Sequence, residues 1–249
     1  MSLIEILWPA FVLALLLVFI HALFGLEILR RGVIFTDLAI GQVAAVGIAV
    51  STAFFHGVHR TPLTLLFALA AAVFIAFATR RVRHIEAFIG LLYALGVSSI
   101  MLILAQSSEG MELFARLSAA DILFTMPEAL VEAAMLYGAV AAVMFLVYPR
   151  LSGLARELLF FSALAVTVTS SVQQAGVLVV FALLIAPAYA ATVQKRLPPL
   201  LFSWIFGVLA VGAALLLSYR FDLPTGYTII FTVVLASLLF VVARSKAVE

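Results

Sequence analysis

Residues Ile6–Ile28 read ILWPAFVLALLLVFIHALFGLEI, and only His21 and Glu27 interrupt the apolar character of this stretch. A helix that crosses the hydrocarbon core of a bilayer needs roughly 20 apolar residues, so this stretch is long enough to span a membrane. Eight further apolar runs follow along the chain: Val33–Phe54, Pro62–Ala78, Ile85–Leu104, Pro127–Val147, Leu158–Ser170, Gly176–Val193, Leu200–Ser218 and Tyr227–Val242. In lipid a segment must satisfy its own backbone hydrogen bonds, which an α-helix does. The pattern predicts an all-α, polytopic membrane bundle of about nine helices, with eight possible.

The composition excludes most other classes of protein. Of the 249 residues, 66% are hydrophobic and 10% are charged, whereas soluble domains carry about 45–50% apolar and about 25% charged residues. A soluble globule and a disordered chain are therefore excluded. The net charge of +2 gives no basic face for nucleic acid, and the chain has no cysteine for a thiolate metal site. Residues 1–249 show no linker or repeat and are predicted to form a single transmembrane domain.

The basic residues between the runs predict the orientation of the chain. If the first run ends in the cytoplasm, the inner segments hold eleven of the 14 lysine and arginine residues and the outer segments hold three. Cytoplasmic loops of membrane proteins carry an excess of these residues. The chain is therefore predicted to lie in the inner or plasma membrane, with its N-terminus on the outer side and its C-terminus on the cytoplasmic side.

Ionisable residues within the runs are candidates for function, because a charge at membrane depth is costly. Glu27 lies about one turn from Arg30 and Arg31, which favours an ion pair at the inner interface over a binding site. Asp37 lies early in the second run, and Gln42 follows it. These two side chains could line a hydrophilic path, or Asp37 could stabilise the N-terminus of its helix. The residues alone leave both interpretations open.

Two other segments carry polar or rigid features. The segment 105–124, on the predicted outer side, includes Glu109 and Glu112; an acidic outer mouth concentrates cations, although ordinary solvated loops are also acidic. On the predicted inner side, Pro187 and Pro198 bracket a basic pair, as in a short rigid cytoplasmic element. No P-loop or catalytic motif is present in the sequence, so any ATP hydrolysis that drives this chain belongs to another chain.

Three blocks of sequence carry a resemblance to a known family. They are FGLEILRRGVIFTD (Phe24–Asp37, continuing to Gly47), QAGVLVVFALLIAPA (Gln174–Ala188) and SYRFDLPTG (Ser218–Gly226). In this order they resemble the permease subunits of ATP-binding-cassette (ABC) importers for zinc, manganese and iron. The blocks are similar to that family's arginine-capped first span with the following aspartate-bearing span, its glycine-to-proline helix and its final outer turn.

The resemblance implies a transport subunit rather than an enzyme. It implies a homodimer of permeases with two cytoplasmic ATPase subunits that bind ATP, and an extracytoplasmic metal-binding protein. It implies no cofactor in this chain and a divalent metal as its cargo. The inside loop around Ala191–Leu200 would contain the coupling helix that docks on the ATPase. The predicted coupling residues are Thr192, Gln194, Lys195, Arg196 and Leu197.

For the metal, the resemblance points to Asp37, which stands at the position of the family's metal-binding aspartate. Many members have a histidine four residues later, where this chain has Gly41, with Gln42 beside it as a weaker ligand for zinc. Glu109 and Glu112 are alternative oxygen ligands. Three other hypotheses stay open: an ABC permease for another cargo such as a chelate, a stand-alone proton-coupled transporter that uses Asp37, and a membrane enzyme, which lacks a catalytic constellation.

Self-association is also predicted from the sequence. Small residues let helices approach closely, and they cluster in the eighth run at Gly207, Ala210, Gly212, Ala213 and Ala214. We expect a two-fold symmetric dimer with the cargo path at or near the interface between its two copies.

Overall fold

A computed structural model describes residues 3–105, 122 and 126–245. Within these ranges the chain forms nine α-helices and no β-strand. Their bounds are α1 Leu3–Arg31, α2 Thr36–Phe55, α3 Arg60–Ala78, α4 Ile85–Leu104, α5 Pro127–Leu146, α6 Gly153–Ala175, α7 Val177–Thr192, α8 Pro199–Phe221 and α9 Thr225–Ser245. A 3₁₀ turn at Tyr148–Arg150 separates α5 from α6.

The prediction of an all-α polytopic membrane protein is confirmed. Of the helices in the described ranges, eight are long and apolar enough to cross a membrane. The exception is α7, which has 16 residues. The outside N-terminus and inside C-terminus stay predictions, because the helix arrangement alone does not identify the cytoplasmic side of the membrane.

Helix α6 is longer than the apolar run that predicted it. The run was predicted over Leu158–Ser170, whereas the helix covers Gly153–Ala175. Its extra turns at both ends carry charged and amide side chains, so they were not recognised as part of the apolar run. At the first of these turns the guanidinium of Arg156 lies 4.5 Å from the centre of the Tyr148 ring, a cation–π contact.

Contacts between Cα atoms group the chain into two compact units. Unit 1 comprises Met1–Gly32, Ala120–Tyr137 and Gln174–Glu249, and unit 2 comprises Val33–Ala119 and Gly138–Gln173. Within unit 1, α7 packs against α1, α8 and α9; within unit 2, α2 packs against α3 and α4. The prediction of a single transmembrane domain over residues 1–249 stays a prediction.

The short helix α7 is largely buried by protein. Ten of its 16 residues are buried, and the exposed residues Leu178, Tyr189 and Thr192 lie along one side. A helix that is apolar on all sides is typical of a buried position. Gly176, with a φ of 84°, is the single residue between α6 and α7, a backbone conformation that favours glycine. Packing against three helices of its own unit explains how so short a helix can be stable.

Most of the small residues predicted for the dimer contact lie inside the chain. A Cβ atom at Gly207 would lie 2.7 Å from Cγ1 of Val18 in α1. Ala210 and Ala214 are buried as well. These three residues allow close packing within unit 1 and give no support for contact with a second copy, so the dimer stays a prediction. Gly212 has open space around its Cα among the described residues.

The predicted orientation can be measured with single cysteines, since the chain has none of its own. Leu223 and Arg83 are both exposed, and the charge pattern places them on opposite sides of the membrane. We expect a membrane-impermeant maleimide to label Leu223→Cys in intact cells and to label Arg83→Cys only after permeabilisation. The reverse pattern would invert the topology.

Candidate functional site

Asp37 lies in the first turn of α2 and is withdrawn from the surface. Only 2% of its area is exposed. Its Oδ1 atom is buried and has no hydrogen-bond partner among the residues the structure describes. The neighbouring Thr36 hydroxyl donates instead to the Val33 carbonyl at 2.7 Å. A buried carboxylate oxygen without a partner is costly, so this atom is available to a ligand.

The α2 turn that carries Asp37 is held by a residue far away in sequence. Phe35 precedes the helix, and no side-chain hydrogen bond caps α2 at that position. The backbone N–H of Phe35 donates instead to Oε1 of Glu86 at 3.2 Å. Glu86 lies in the first turn of α4. The sequence reasoning missed this residue; its one signal was an acidic side chain at the start of a span.

The helix contact one turn beyond Asp37 is apolar. Gly41, where the resemblance led us to expect a histidine, is buried. A Cβ atom there would lie 3.8 Å from Val168 and 3.9 Å from Val172, both in α6. Residues four apart share a helix face, so the face that carries Asp37 meets valine side chains at this level rather than a nitrogen ligand.

Gln42 points to a different neighbour. A Cβ atom at Gly96 of α4 would lie 2.9 Å from the Cβ of Gln42, so the two helices touch there. Gln42 follows Asp37 by five residues, about 500° of helix rotation, and lies on another face. It therefore stays a secondary candidate ligand.

The other predicted oxygen ligands, Glu109 and Glu112, lie outside the described residues and stay predictions. Across residues 3–105, 122 and 126–245, no group of three or more histidine, aspartate or glutamate side chains could hold a metal ion. In the described part of a single chain, Asp37 is therefore not accompanied by enough such side chains to complete a metal site.

Two ionisable residues of α1 have local partners. Glu27 forms ion pairs with Arg30 at 3.1 Å and Arg31 at 3.2 Å, which confirms the ion-pair interpretation. His21 is fully buried, and its Nδ1 lies 2.9 Å from the Leu17 carbonyl. Because a carbonyl oxygen only accepts, Nδ1 is the donor in this hydrogen bond. His21 is thus bonded to its own helix.

The segment between α7 and α8 is a compact turn rather than a helix. We define residues 193–198 as the coupling turn. The Gln194 side chain closes it: Oε1 accepts from the backbone N–H of Arg196 at 2.9 Å and of Leu197 at 3.0 Å, and Nε2 donates to the Leu197 carbonyl at 2.8 Å. No residue of this fully described turn is helical, so the expected coupling helix is wrong for 193–198.

The coupling turn presents its predicted contact residues to solvent. Lys195, Arg196 and Leu197 are exposed, and 42% of Leu197 is accessible. Thr192, the last residue of α7, is exposed too, and its hydroxyl donates to the Tyr189 carbonyl at 2.7 Å. The turn is therefore fixed by its own hydrogen bonds while its basic and apolar side chains remain available for a partner.

Helix α7, which ends in this turn, is fixed by hydroxyl groups around its proline. Pro187 has no N–H, so it cannot make a helical bond to the carbonyl four residues earlier. The Ser237 hydroxyl of α9 donates to the Ala186 carbonyl at 2.8 Å. The Ser203 hydroxyl of α8 lies 3.3 Å from the Pro187 carbonyl and 2.9 Å from the Pro199 carbonyl of its own helix, so its one proton is shared between these two acceptors. The sequence predicted an interruption at Pro187 but not these two serines.

A family model describes nearly the whole of this sequence. The model of the "ABC 3 transport family" matches residues 3–246. The chain belongs to the ABC 3 transport family. The resemblance to ABC importer permeases is thereby confirmed, and with its apolar helices this ABC 3 chain is a multi-pass permease subunit of the plasma membrane.

Two solved structures share the fold of this ABC 3 permease. PsaBC from Streptococcus pneumoniae, in complex with a Fab, matches 95% of this chain and 91% of its own chain, with a TM-score of 0.76 and 19% identity. An ABC transporter assigned to the metal-chelate type, in an inward-facing conformation, matches 98% and 89%, with a TM-score of 0.65 and 15% identity. No curated protein matches the sequence significantly. These likenesses show the fold.

Proposed function

We propose that this ABC 3 permease imports a divalent transition-metal ion, zinc, manganese or iron, across the plasma membrane. The observation that carries the proposal is Asp37: a carboxylate in a membrane span, 2% exposed, with one oxygen unpartnered in the described structure. Ionisable groups at membrane depth are costly and mark ion pathways. A passing cation would supply the partner that Oδ1 lacks.

A second copy of the chain would supply the missing ligands. A divalent ion needs more than one carboxylate, and the described part of one chain offers no group of three suitable side chains. A homodimer would contribute two Asp37 carboxylates, which balance the charge of one divalent cation, once the packing that buries Asp37 in each chain opens toward the two-fold axis. With Gly41 and valine beside them, such oxygen ligands suit manganese or ferrous iron better than zinc, which favours imidazole.

Two further partners complete the proposal. A cytoplasmic ATPase, which binds and hydrolyses ATP, docks on the coupling turn through Lys195, Arg196 and Leu197. An extracytoplasmic metal-binding protein delivers the ion to the outer side. The coupling turn supports the first contact because it is exposed and closed by Gln194 before any partner arrives. A pre-ordered surface loses less entropy on binding than a flexible one.

The proposal is tested by ATP hydrolysis in the purified permease–ATPase assembly with its metal-binding protein. We expect manganese, iron or zinc to stimulate hydrolysis above the rate with magnesium and ATP alone. Equal rates with and without the transition metals would contradict a metal cargo.

A Gln194→Ala substitution tests the coupling turn. It removes three hydrogen bonds that close the turn, each worth about 1 kcal/mol. We expect the affinity of the permease for the ATPase to fall at least about tenfold, with the permease still folded, since the turn lies outside the lipid. Binding of the purified ATPase to permease in nanodiscs measures this.

The matched control is Gln173→Ala, at an exposed position near the end of α6 that the charge pattern places outside. This variant should bind the ATPase as the unsubstituted chain does. An equal affinity of the Gln194→Ala variant and the control would show that the turn does not need to be closed for docking.

A metal chelate is the second candidate cargo. The likeness of its fold to an ABC transporter assigned to the metal-chelate type favours it, and so does the glycine at position 41, which offers a bare ion no side-chain ligand. The hypothesis of a stand-alone proton-coupled transporter loses its basis, because the chain belongs to an ABC transport family.

A further inference from the structure

We infer that Glu86 is a positioning residue for Asp37: it holds the first turn of α2 in place from the neighbouring helix α4. The link to transport rests on the proposed function, in which Asp37 binds the cargo. The positioning itself rests on the contacts of unit 2 and can be tested without any cargo.

The residue that precedes α2 provides no side-chain cap for the helix. The first backbone N–H groups of a helix have no partner within the helix, and serine, threonine, asparagine or aspartate before it commonly supplies one. Here Phe35 occupies that place and cannot. The Thr36 hydroxyl does not act as a cap either, because it donates backwards to the Val33 carbonyl at 2.7 Å, the same carbonyl that accepts the Thr36 N–H at 3.2 Å.

Glu86 supplies the cap from 51 residues away. Its Oε1 accepts the N–H of Phe35 at 3.2 Å, and its Oε2 is buried with no hydrogen-bond partner in the described ranges. The positive end of the α2 dipole favours a carboxylate at this place. A hydrogen bond to a charged group is also stronger than one between neutral groups. Glu86 therefore anchors the backbone at Phe35.

Asp37 depends on this anchor because it follows Phe35 by two residues in the same turn. The carboxylate stays buried only while that turn keeps its depth and rotation. Without Glu86, the hydrogen bond from the Phe35 N–H to α4 is lost, and the turn can fray toward water. Fraying of an end is the usual low-energy opening of a helix. The remainder of α2, packed on α3 and α4, would keep its place.

A single-cysteine reporter measures the position of the turn directly. In the cysteine-free chain, Asp37→Cys reports on the first turn and Ser51→Cys, a fully buried position near the other end of α2, serves as the matched reporter. A small thiol reagent is applied to the permease in nanodiscs. We expect Glu86→Ala to speed labelling at position 37 at least about tenfold and to leave labelling at position 51 unchanged.

The conservative variant identifies the role of the hydrogen bond. Glu86→Gln keeps an oxygen acceptor for Phe35, so labelling at position 37 should return to near the slow rate. Unchanged labelling at position 37 in Glu86→Ala would overturn the inference. A parallel rise at position 51 would overturn it as well, because that result would mean a general loosening of the helix.

Metal uptake separates this inference from the proposed function. In a chain that retains Asp37, Glu86→Ala should raise the KM for manganese uptake about tenfold, as loss of a residue supporting a ligand does. The matched control Glu128→Ala, an exposed acid in the first turn of α5, should leave KM unchanged. Faster labelling at position 37 with an unchanged KM would confirm the positioning and contradict the role of Asp37 in binding cargo.

Discussion

We expect Asp37→Asn to lower metal uptake by the assembled transporter roughly 100-fold while the permease still reaches the membrane and binds its ATPase. The substitution keeps the size of the side chain and removes its charge. Breaking a buried interaction between opposite charges costs about 3 kcal/mol or more, which corresponds to a factor of about 100 in affinity. Uptake of radioactive manganese or zinc into proteoliposomes, driven by ATP, measures the effect.

The competing interpretation predicts a different result for the same variant. If Asp37 only stabilises the N-terminus of α2, the substitution changes stability modestly and leaves uptake nearly intact. Asp222→Asn is the matched control, because this exposed aspartate lies in the turn between α8 and α9. Uptake by Asp37→Asn equal to that of this control would end the assignment of Asp37.

The largest expected loss of stability follows from Gly25→Ala. The Cα of Gly25 packs directly on the Leu184 carbonyl, and an added Cβ would overlap that oxygen and reach 3.0 Å from the Ala188 Cβ. The obstacle is backbone of the buried helix α7, which cannot rotate away as a side chain can. Forcing an extra methyl group into a packed contact costs about 3 kcal/mol, or roughly 10 °C in the melting temperature of a chain of this size.

The matched control for this substitution is Gly212→Ala. A Cβ at Gly212 of α8 meets open space among the described residues. Thermal unfolding of both variants in the same detergent compares them under equal conditions. Similar melting temperatures for the two variants would show that α1 and α7 do not touch as closely as the structure places them.

Much of the fold follows from the sequence because the bilayer imposes one rule on every span. Each apolar run predicted a helix, and the run at Ile85–Leu104 reproduces α4 to the residue. The predicted helix ends were less accurate where a helix continues past its apolar residues into polar ones. The ends of α6 carry polar side chains, so its apolar run stopped short of Gly153 and Ala175.

Sequence reasoning identified a site residue only where that residue stands out from its own neighbours in the chain. A carboxylate within an apolar run is visible in the sequence, and Asp37 was identified in that way. Glu86 acts through a contact with Phe35, 51 residues earlier in the chain, and nothing in local periodicity links the two. The same holds for Ser237, which donates to the Ala186 carbonyl of α7 from another helix.

The coupling turn lies between these cases. Prolines and a basic pair predicted a rigid inner element at the right place in the sequence. They did not predict its form, because the turn is closed by one amide side chain, Gln194, rather than by helical hydrogen bonds. An amide that bonds to nearby backbone competes with helix formation, which accounts for the missing coupling helix.

The nature of the cargo is the central claim, and uptake by the unsubstituted assembly tests it most directly. Proteoliposomes that contain the permease, its ATPase and its metal-binding protein are offered manganese, iron or zinc either as the bare ion or as a stable organic chelate, and the metal inside is counted. We expect saturable, ATP-dependent uptake of the bare ion, and less uptake when the same metal is offered as the chelate. Uptake of the chelated metal alone would contradict it.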